Sequence, residues 1–291
     1  MKSKEYDFLP VVALVPAFLY IGIFFIYPLF LSFYYSFTNL SLYNINLIQY
    51  VGITNYVDLF TSSLFVHSIV ITIVFLILSA VIGQMFFGML IAYAINNTEK
   101  RFGIVITLIV LMAWATPQVV AGITWYSTVS YVPLGLLNYL LHSLGISPVN
   151  FLSHTNALSV IIFANIWLGL GFSVLLFSSA IKNINPSIIK ATFIDGANFF
   201  TRFFKVIVPT ISNTILTDLI LITLWTLGTF TMIYTLTGGG PADTTDILTI
   251  YQYRTAFSLF KIGLANAIGV IIILVGTVLS LIYLRLIHVE R

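Results

Sequence analysis

Three stretches of this chain, residues 8–57, 219–242 and 262–284, contain no Asp, Glu, Lys or Arg. The last two are each long enough to cross the hydrocarbon core of a bilayer as a helix, which takes about 20 apolar residues at ~1.5 Å rise. A water-soluble fold needs charged surface outside its buried faces, yet only 7% of the 291 residues are charged while 59% are apolar. The mean hydropathy of +1.06 lies outside what a soluble core and surface combine to give. Most of this chain has lipid as its solvent.

Apolar runs bounded by charges or Gly/Pro clusters predict an all-α polytopic membrane protein, a single domain over 1–291. Six transmembrane helices are expected, at about 10–37, 65–95, 104–129, 156–181, 210–236 and 262–286. Met1-Lys2-Ser3-Lys4 could open a signal peptide, but the apolar run to Phe37 is too long for one and has no small-residue cleavage site. It reads as a retained first span. An even count puts both termini on one side, with Lys2, Lys4, Lys100, Arg101, Lys182, Lys190, Arg202, Lys205, Arg285 and Arg291; only Arg254 and Lys261 fall opposite. Basic residues collect on the cytoplasmic side, so both termini are expected there. Membrane orientation accounts for the net charge of +3 and leaves no sign of a nucleic-acid partner.

Several chemistries find no support. Without cysteine there is neither a disulfide framework nor a thiolate metal site. His67, His142, His154 and His288 show no metal-ligand spacing, so no metal centre is expected. No G-x-x-x-x-G-K-[ST] occurs, so the chain has no phosphate-binding loop with which to split ATP itself.

Residues 182–209, KNINPSIIKATFIDGANFFTRFFKVIVP, are too polar to span and too patterned for a slack linker. Asn185-Pro186 is a helix start, Asn capping free N–H groups and Pro fitting the first helical position. Asp195-Gly196 is a stop, since Gly adopts the left-handed conformation that closes a helix. A second helix is expected from Asn198, with Phe199, Phe200, Phe203, Phe204 and Ile207 on one face and Arg202 and Lys205 on the other. That pattern suits a helix-turn-helix against the cytoplasmic leaflet; on periodicity alone, a plain amphipathic connector and a docking element fit equally.

The residues themselves favour docking. Lys190-Ala191-Thr192, then Asp195-Gly196-Ala197, then Phe203, Lys205 and Pro209 resemble the EAA loop of permease subunits in ATP-binding-cassette importers. The family form is Glu-Ala-Ala, two residues, Asp-Gly-Ala, and a proline twelve residues on. Lys190 stands where the family has Glu, reversing a charge expected to face the ATPase. The run LTGGGP at 236–241, Tyr251, Tyr253, Phe257, Gly263, Ala265 and Ala267 extend the resemblance to the carbohydrate-uptake permeases, although GGGP alone is only a turn signal. The resemblance implies a type I importer permease fold with a cytoplasmic coupling helix at 187–194. It also implies a second, homologous but non-identical permease (a homodimer being the alternative), two ATPase subunits that bind ATP and Mg²⁺, and an extracytoplasmic sugar-binding protein. A prokaryotic plasma membrane fits that delivery best.

Polar groups inside spans are expensive unless they face protein or water. In the fourth span, Asn165, Leu168, Gly169 and Phe172 share a face by i, i+3, i+4, i+7 spacing. In the fifth, Ile222, Trp225, Thr226 and Thr229 repeat it. An aromatic plane beside fixed amide and hydroxyl groups suits a sugar, and in the permeases this chain resembles the transported ligand meets these two helix positions. Helix–helix packing is the competing reading, since Gly, Thr and Asn are common at such contacts. Gln84 and Asn266 read first as interhelical hydrogen-bond formers. Asp218, one turn below Ile222, suggests a wet vestibule or an interhelical pair. In an ion-coupled secondary transporter, the rival class, it would be the coupling residue, with an inverted repeat and broken helices. An importer of a non-sugar solute is the other alternative.

Overall fold

The computed structural model describes residues 9–131 and 135–289, with side chains between residues 14 and 285. Lys2, Lys4, Arg291 and the side chain of His288 lie outside the described residues. In chain order the helices are α1 (Leu9–Ile21), α2 (Tyr27–Tyr35), α3 (Thr54–Thr61), α4 (Ser63–Leu76), α5 (Phe87–Asn96), α6 (Lys100–Trp114), α7 (Gln118–Val129) and α8 (Leu136–Ser143). There follow α9 (Ala157–Lys182), α10 (Pro186–Ile194), α11 (Phe199–Arg202), α12 (Val208–Thr210), α13 (Ser212–Leu227), α14 (Thr231–Leu236), α15 (Leu248–Phe257) and α16 (Ile262–Val289). Wider π-helical turns join α1 to α2 (Gly22–Ile26), α4 to α5 (Ile77–Phe86) and α11 to α12 (Phe203–Ile207). Among the described residues there is no β-strand, only an isolated bridge between Thr38 and Tyr50.

Among the described residues, four helical stretches are long and apolar enough to cross a membrane: Leu14–Tyr35, Ser63–Asn96, Ala157–Lys182 and Ile262–Arg285. Two further candidates are bent pairs, α6 with α7 at 100° and Phe199–Thr210 with α13 at 75°. The chain is therefore an all-α, multi-pass membrane protein with four to six apolar spans.

Two continuous helices expected from sequence are broken. Over 104–129, α6 ends at Trp114 and α7 begins after Pro117. Proline lacks the N–H a helix needs, its ring clashes with the preceding turn, and it disfavours helical geometry at Thr116. Over 210–236, α13 stops at Gly228, and Phe230 leaves helical geometry before α14 begins at Thr231. Hydrophobicity runs through both breaks, so a composition-based span cannot see them.

The chain divides into two compact units. One comprises the residues up to Ser63 with Gln252–Ile271. Here no residue of the apolar stretch Leu14–Tyr35 is fully buried, as suits a helix facing lipid. The loop after α2 is stitched by Asn55, whose amide donates to the carbonyls of Ser36 (2.8 Å) and Thr38 (2.9 Å). Asn266 accepts from Ser32 Oγ at 2.6 Å, the interhelical bond its position suggests.

The other unit comprises Leu64–Tyr251 with the chain from Ile272. Its centre is α9, packed by α5, α6, α13 and the π turn of Ile77–Phe86. Small residues allow the close approach: Gly88 sits against Ser173, and Gly171 against the Val110 carbonyl and the Trp114 side chain. Apolar side chains gather in two clusters, one around Phe75, Ile161, Met232 and Ile247, the other around Met89, Tyr93, Phe177, Phe203 and Ile207.

Candidate functional site

Both helix breaks of this second unit open onto one cavity. Trp114, Thr116 and Gln118 from the α6–α7 break, and Leu224, Trp225, Thr226, Gly228 and Thr229 from the end of α13, line a space of about 540 Å³. Gln84, Asn165, Leu168 and Gly169 complete it. Irregular backbone at membrane depth is tolerated where it is buried in protein or lines a water-filled cavity, so breaks converging on a cavity are what a polar passage requires.

The walls divide by chemistry. Trp225 is 52% exposed and offers its indole. Phe172 does not line the space; its ring meets that of Trp225 edge-on at 4.7 Å and lies 6.2 Å from that of Trp114, so it backs both indoles. On α9, the Asn165 amide donates to Ser79 Oγ at 3.0 Å and to Thr226 Oγ1 at 3.4 Å. Gln84 Nε2 donates to the Asn165 carbonyl at 3.2 Å. Asn165 thus both borders the cavity and ties α9 to its neighbours, so the packing and ligand readings meet in one residue. Gly169 leaves room for the Gln84 side chain, which a Cβ there would meet. Thr229 Oγ1 donates to the Trp225 carbonyl at 3.0 Å, so part of its capacity is already used.

Six of the seven sequence-expected residues, Asn165, Leu168, Gly169, Trp225, Thr226 and Thr229, therefore come together. Trp114, Thr116 and Gln118 were missed because they fall in what reads as an unbroken apolar span. Pro117 was the available signal. Asp218 lies elsewhere: it is fully buried on α13, with the Ser173 hydroxyl of α9 as its polar neighbour. That contact joins two helices, as the position of Asp218 suggests, and Asp218 does not border the cavity.

The segment 182–210 folds as a helix, a glycine turn and a second helix. Asn185 Oδ1 accepts from Ser187 N at 3.0 Å with Pro186 at the first helical position. Gly196, at φ +66°, closes α10 as Ala197 N donates to the Thr192 carbonyl at 2.9 Å. Asn198 caps α11 by accepting from Thr201 N at 2.8 Å. One expectation fails: Phe199, Phe200, Phe203, Phe204 and Ile207 do not form one face. The π turn over Phe203–Ile207 changes the phase, burying Phe203 and Ile207 against Tyr93 and Phe177 while Phe200 and Phe204 stay exposed. Arg202 lies 4.1 Å over the Phe193 ring and so ties the second helix to α10. Outward from α10 project Ile188, Lys190, Ala191, Phe193 and Ile194, with Asp195 after them; Ile194 is 86% exposed.

Residues 84–288 match the family described as binding-protein-dependent transport system inner membrane component. The chain belongs to that family. Its relatives include the trehalose/maltose transport system permease protein MalF of Thermococcus litoralis, 31% identical over 81% of this chain and 79% of the relative. The multiple sugar-binding transport system permease protein MsmF of Streptococcus mutans is 32% identical over 91% and 90%. A chain of a bacterial alginate ABC transporter, solved with an alginate-bound periplasmic protein, shares the fold at a TM-score of 0.82 and 24% identity, over 95% of this chain and 93% of that one. As a family member the chain is a pore-forming inner-membrane component. Broken helices, the feature an ion-coupled carrier would also show, do not outweigh that membership.

Proposed function

We propose that this chain forms half of the translocation pathway of an ATP-driven sugar importer, and that the cavity between the two helix breaks is where sugar crosses. The observation that carries the reading is the pairing of exposed indoles with amides and hydroxyls. A sugar ring stacks its C–H face on an aromatic plane and needs fixed donors and acceptors for its hydroxyls. Cationic cargo would call for acidic side chains, and the cavity has none.

In this reading the chain crosses the membrane six times, each bent pair counting as one span, with both termini cytoplasmic. It has no ATPase site. Two partner subunits bind ATP and Mg²⁺, and a cleft in one receives α10. Lys190, Ala191, Thr192, Asp195, Gly196 and Ala197 form the coupling element. Thr192 is buried and bonds its hydroxyl to the Ile189 carbonyl at 2.7 Å, so it holds the helix while Lys190 and Ala191 face outward. Lys190 meets an acidic or neutral residue of the ATPase. A second, non-identical permease supplies the other half of the pore, and an extracytoplasmic binding protein delivers the sugar. Nucleotide-driven closure shifts the pore between inward- and outward-facing states through differential contacts at this loop.

The test is purification of the intact complex from membranes, followed by ATPase assay with and without binding protein and candidate sugars. Co-purifying ATPase subunits and sugar-stimulated hydrolysis that falls in Trp225→Ala support the reading. A complex lacking ATPase subunits, or hydrolysis indifferent to every sugar, overturns it.

A further inference from the structure

A second cavity, of about 390 Å³, lies where α5 ends, α6 begins and α9 ends. Its polar lip carries Lys100 and Lys182, with Asn96 and Thr98 beside them, and its floor is apolar, including Ile104 and Leu108 of α6. Both lysines are exposed, and among the described residues neither forms an ion pair. Glu99, the neighbouring acid in sequence, does not line the space. Asn96 is held in place by donating to the Ala92 carbonyl at 2.7 Å and to Ser178 Oγ at 3.2 Å. The two ammonium groups, with the Thr98 hydroxyl, are the donors of this lining left for an incoming ligand, and the ammoniums carry its charge.

We infer that this cavity binds an anionic phospholipid, its phosphate between Lys100 and Lys182 and an acyl chain along α6. Below the lysines α6 exposes Ile104, Val105, Leu108, Ile109 and Met112, a continuous apolar surface that a soluble anion would leave unused. Basic pockets between helices at the cytoplasmic face suit anionic headgroups, and each lysine near such a surface contributes about a fivefold factor in binding. The inference rests on the proposed orientation, which places both lysines at the cytoplasmic leaflet. Near the root of the coupling segment, such a lipid would fix the end of α9 four residues before α10 begins.

The test uses the complete transporter complex in phosphatidylcholine nanodiscs, titrated with spin-labelled phosphatidylglycerol. The preference for phosphatidylglycerol should fall roughly 25-fold in Lys100→Gln/Lys182→Gln and stay within about twofold in Arg101→Gln/Arg285→Gln, which removes the same charge elsewhere. Equal loss in both double variants, no loss in either, or displacement of the label by millimolar inorganic phosphate overturns the site. Labelling of Thr98→Cys by an impermeant reagent separates the two failures. Reaction from the outside alone refutes the orientation and the inference with it, whereas reaction from the inside with no lipid preference refutes the inference only.

Discussion

Trp225 uses its two halves separately: the indole stands in the cavity, while the backbone carbonyl accepts from Thr229. Removing the ring should therefore cost substrate affinity more than fold. Trp225→Ala is expected to raise the sugar concentration for half-maximal ATPase stimulation about tenfold, and Trp225→Phe to retain most of it; equal protein yield with unchanged stimulation would contradict the assignment. The glycines of α9 separate packing from function in the same way. At Gly171 a Cβ meets the Val110 backbone carbonyl, so Gly171→Ala should destabilise by about 1–3 kcal/mol, read as a lower unfolding temperature in detergent. At Gly169 it meets the end of the Gln84 side chain, which borders the cavity, so Gly169→Ala should cost less stability than Gly171→Ala and alter sugar stimulation. Asp218 makes a prediction against its own prominence. It lies off the cavity beside the Ser173 hydroxyl, and an amide keeps a hydrogen-bonding group there, so Asp218→Asn should preserve ATP-driven uptake, whereas loss of uptake would restore it to a transport role. The face shared by Asn165 and Gly169 was legible in the sequence because helical spacing fixes it. That Asn165 spends its amide on Ser79 was not, because the partner is 86 residues away.

Elements divide into those marked by local chemistry and those marked only by tertiary context. The α10 helix announced itself through Asn185-Pro186 and Asp195-Gly196, each a residue type needed for a specific backbone job, and the structure uses them for those jobs. Replacing the Asn185 cap with Ala should cost about 1 kcal/mol locally. Faster amide exchange over 186–194 checks it, and unchanged protection there would show that packing alone holds the helix. Periodicity misled at the next element, since 3.6-residue spacing cannot foresee a π turn at Phe203–Ile207. The 104–129 break teaches the complementary lesson: Pro117 carried the information, but uninterrupted apolar composition masked it. Pro117→Ala restores the N–H and lets α6 extend, so sugar-stimulated ATPase should fall while the complex still assembles.

For the whole molecule, the absence of charge over long stretches established the membrane class, and the residues of the 182–209 segment pointed to the family that the match over 84–288 identifies. What sequence could not supply was the meeting of two broken helices at one cavity, since breaks at Pro117 and Gly228 are 111 residues apart. In the proposed function sugar crosses at that cavity, and ATP, acting through partner subunits, drives it. Uptake of radiolabelled sugar into proteoliposomes holding the purified complex, with binding protein outside and ATP inside, tests that claim most directly. Uptake should require ATP and binding protein, survive ionophores and drop sharply in Trp225→Ala. Uptake that persists without ATP and collapses when ion gradients are dissipated would contradict it.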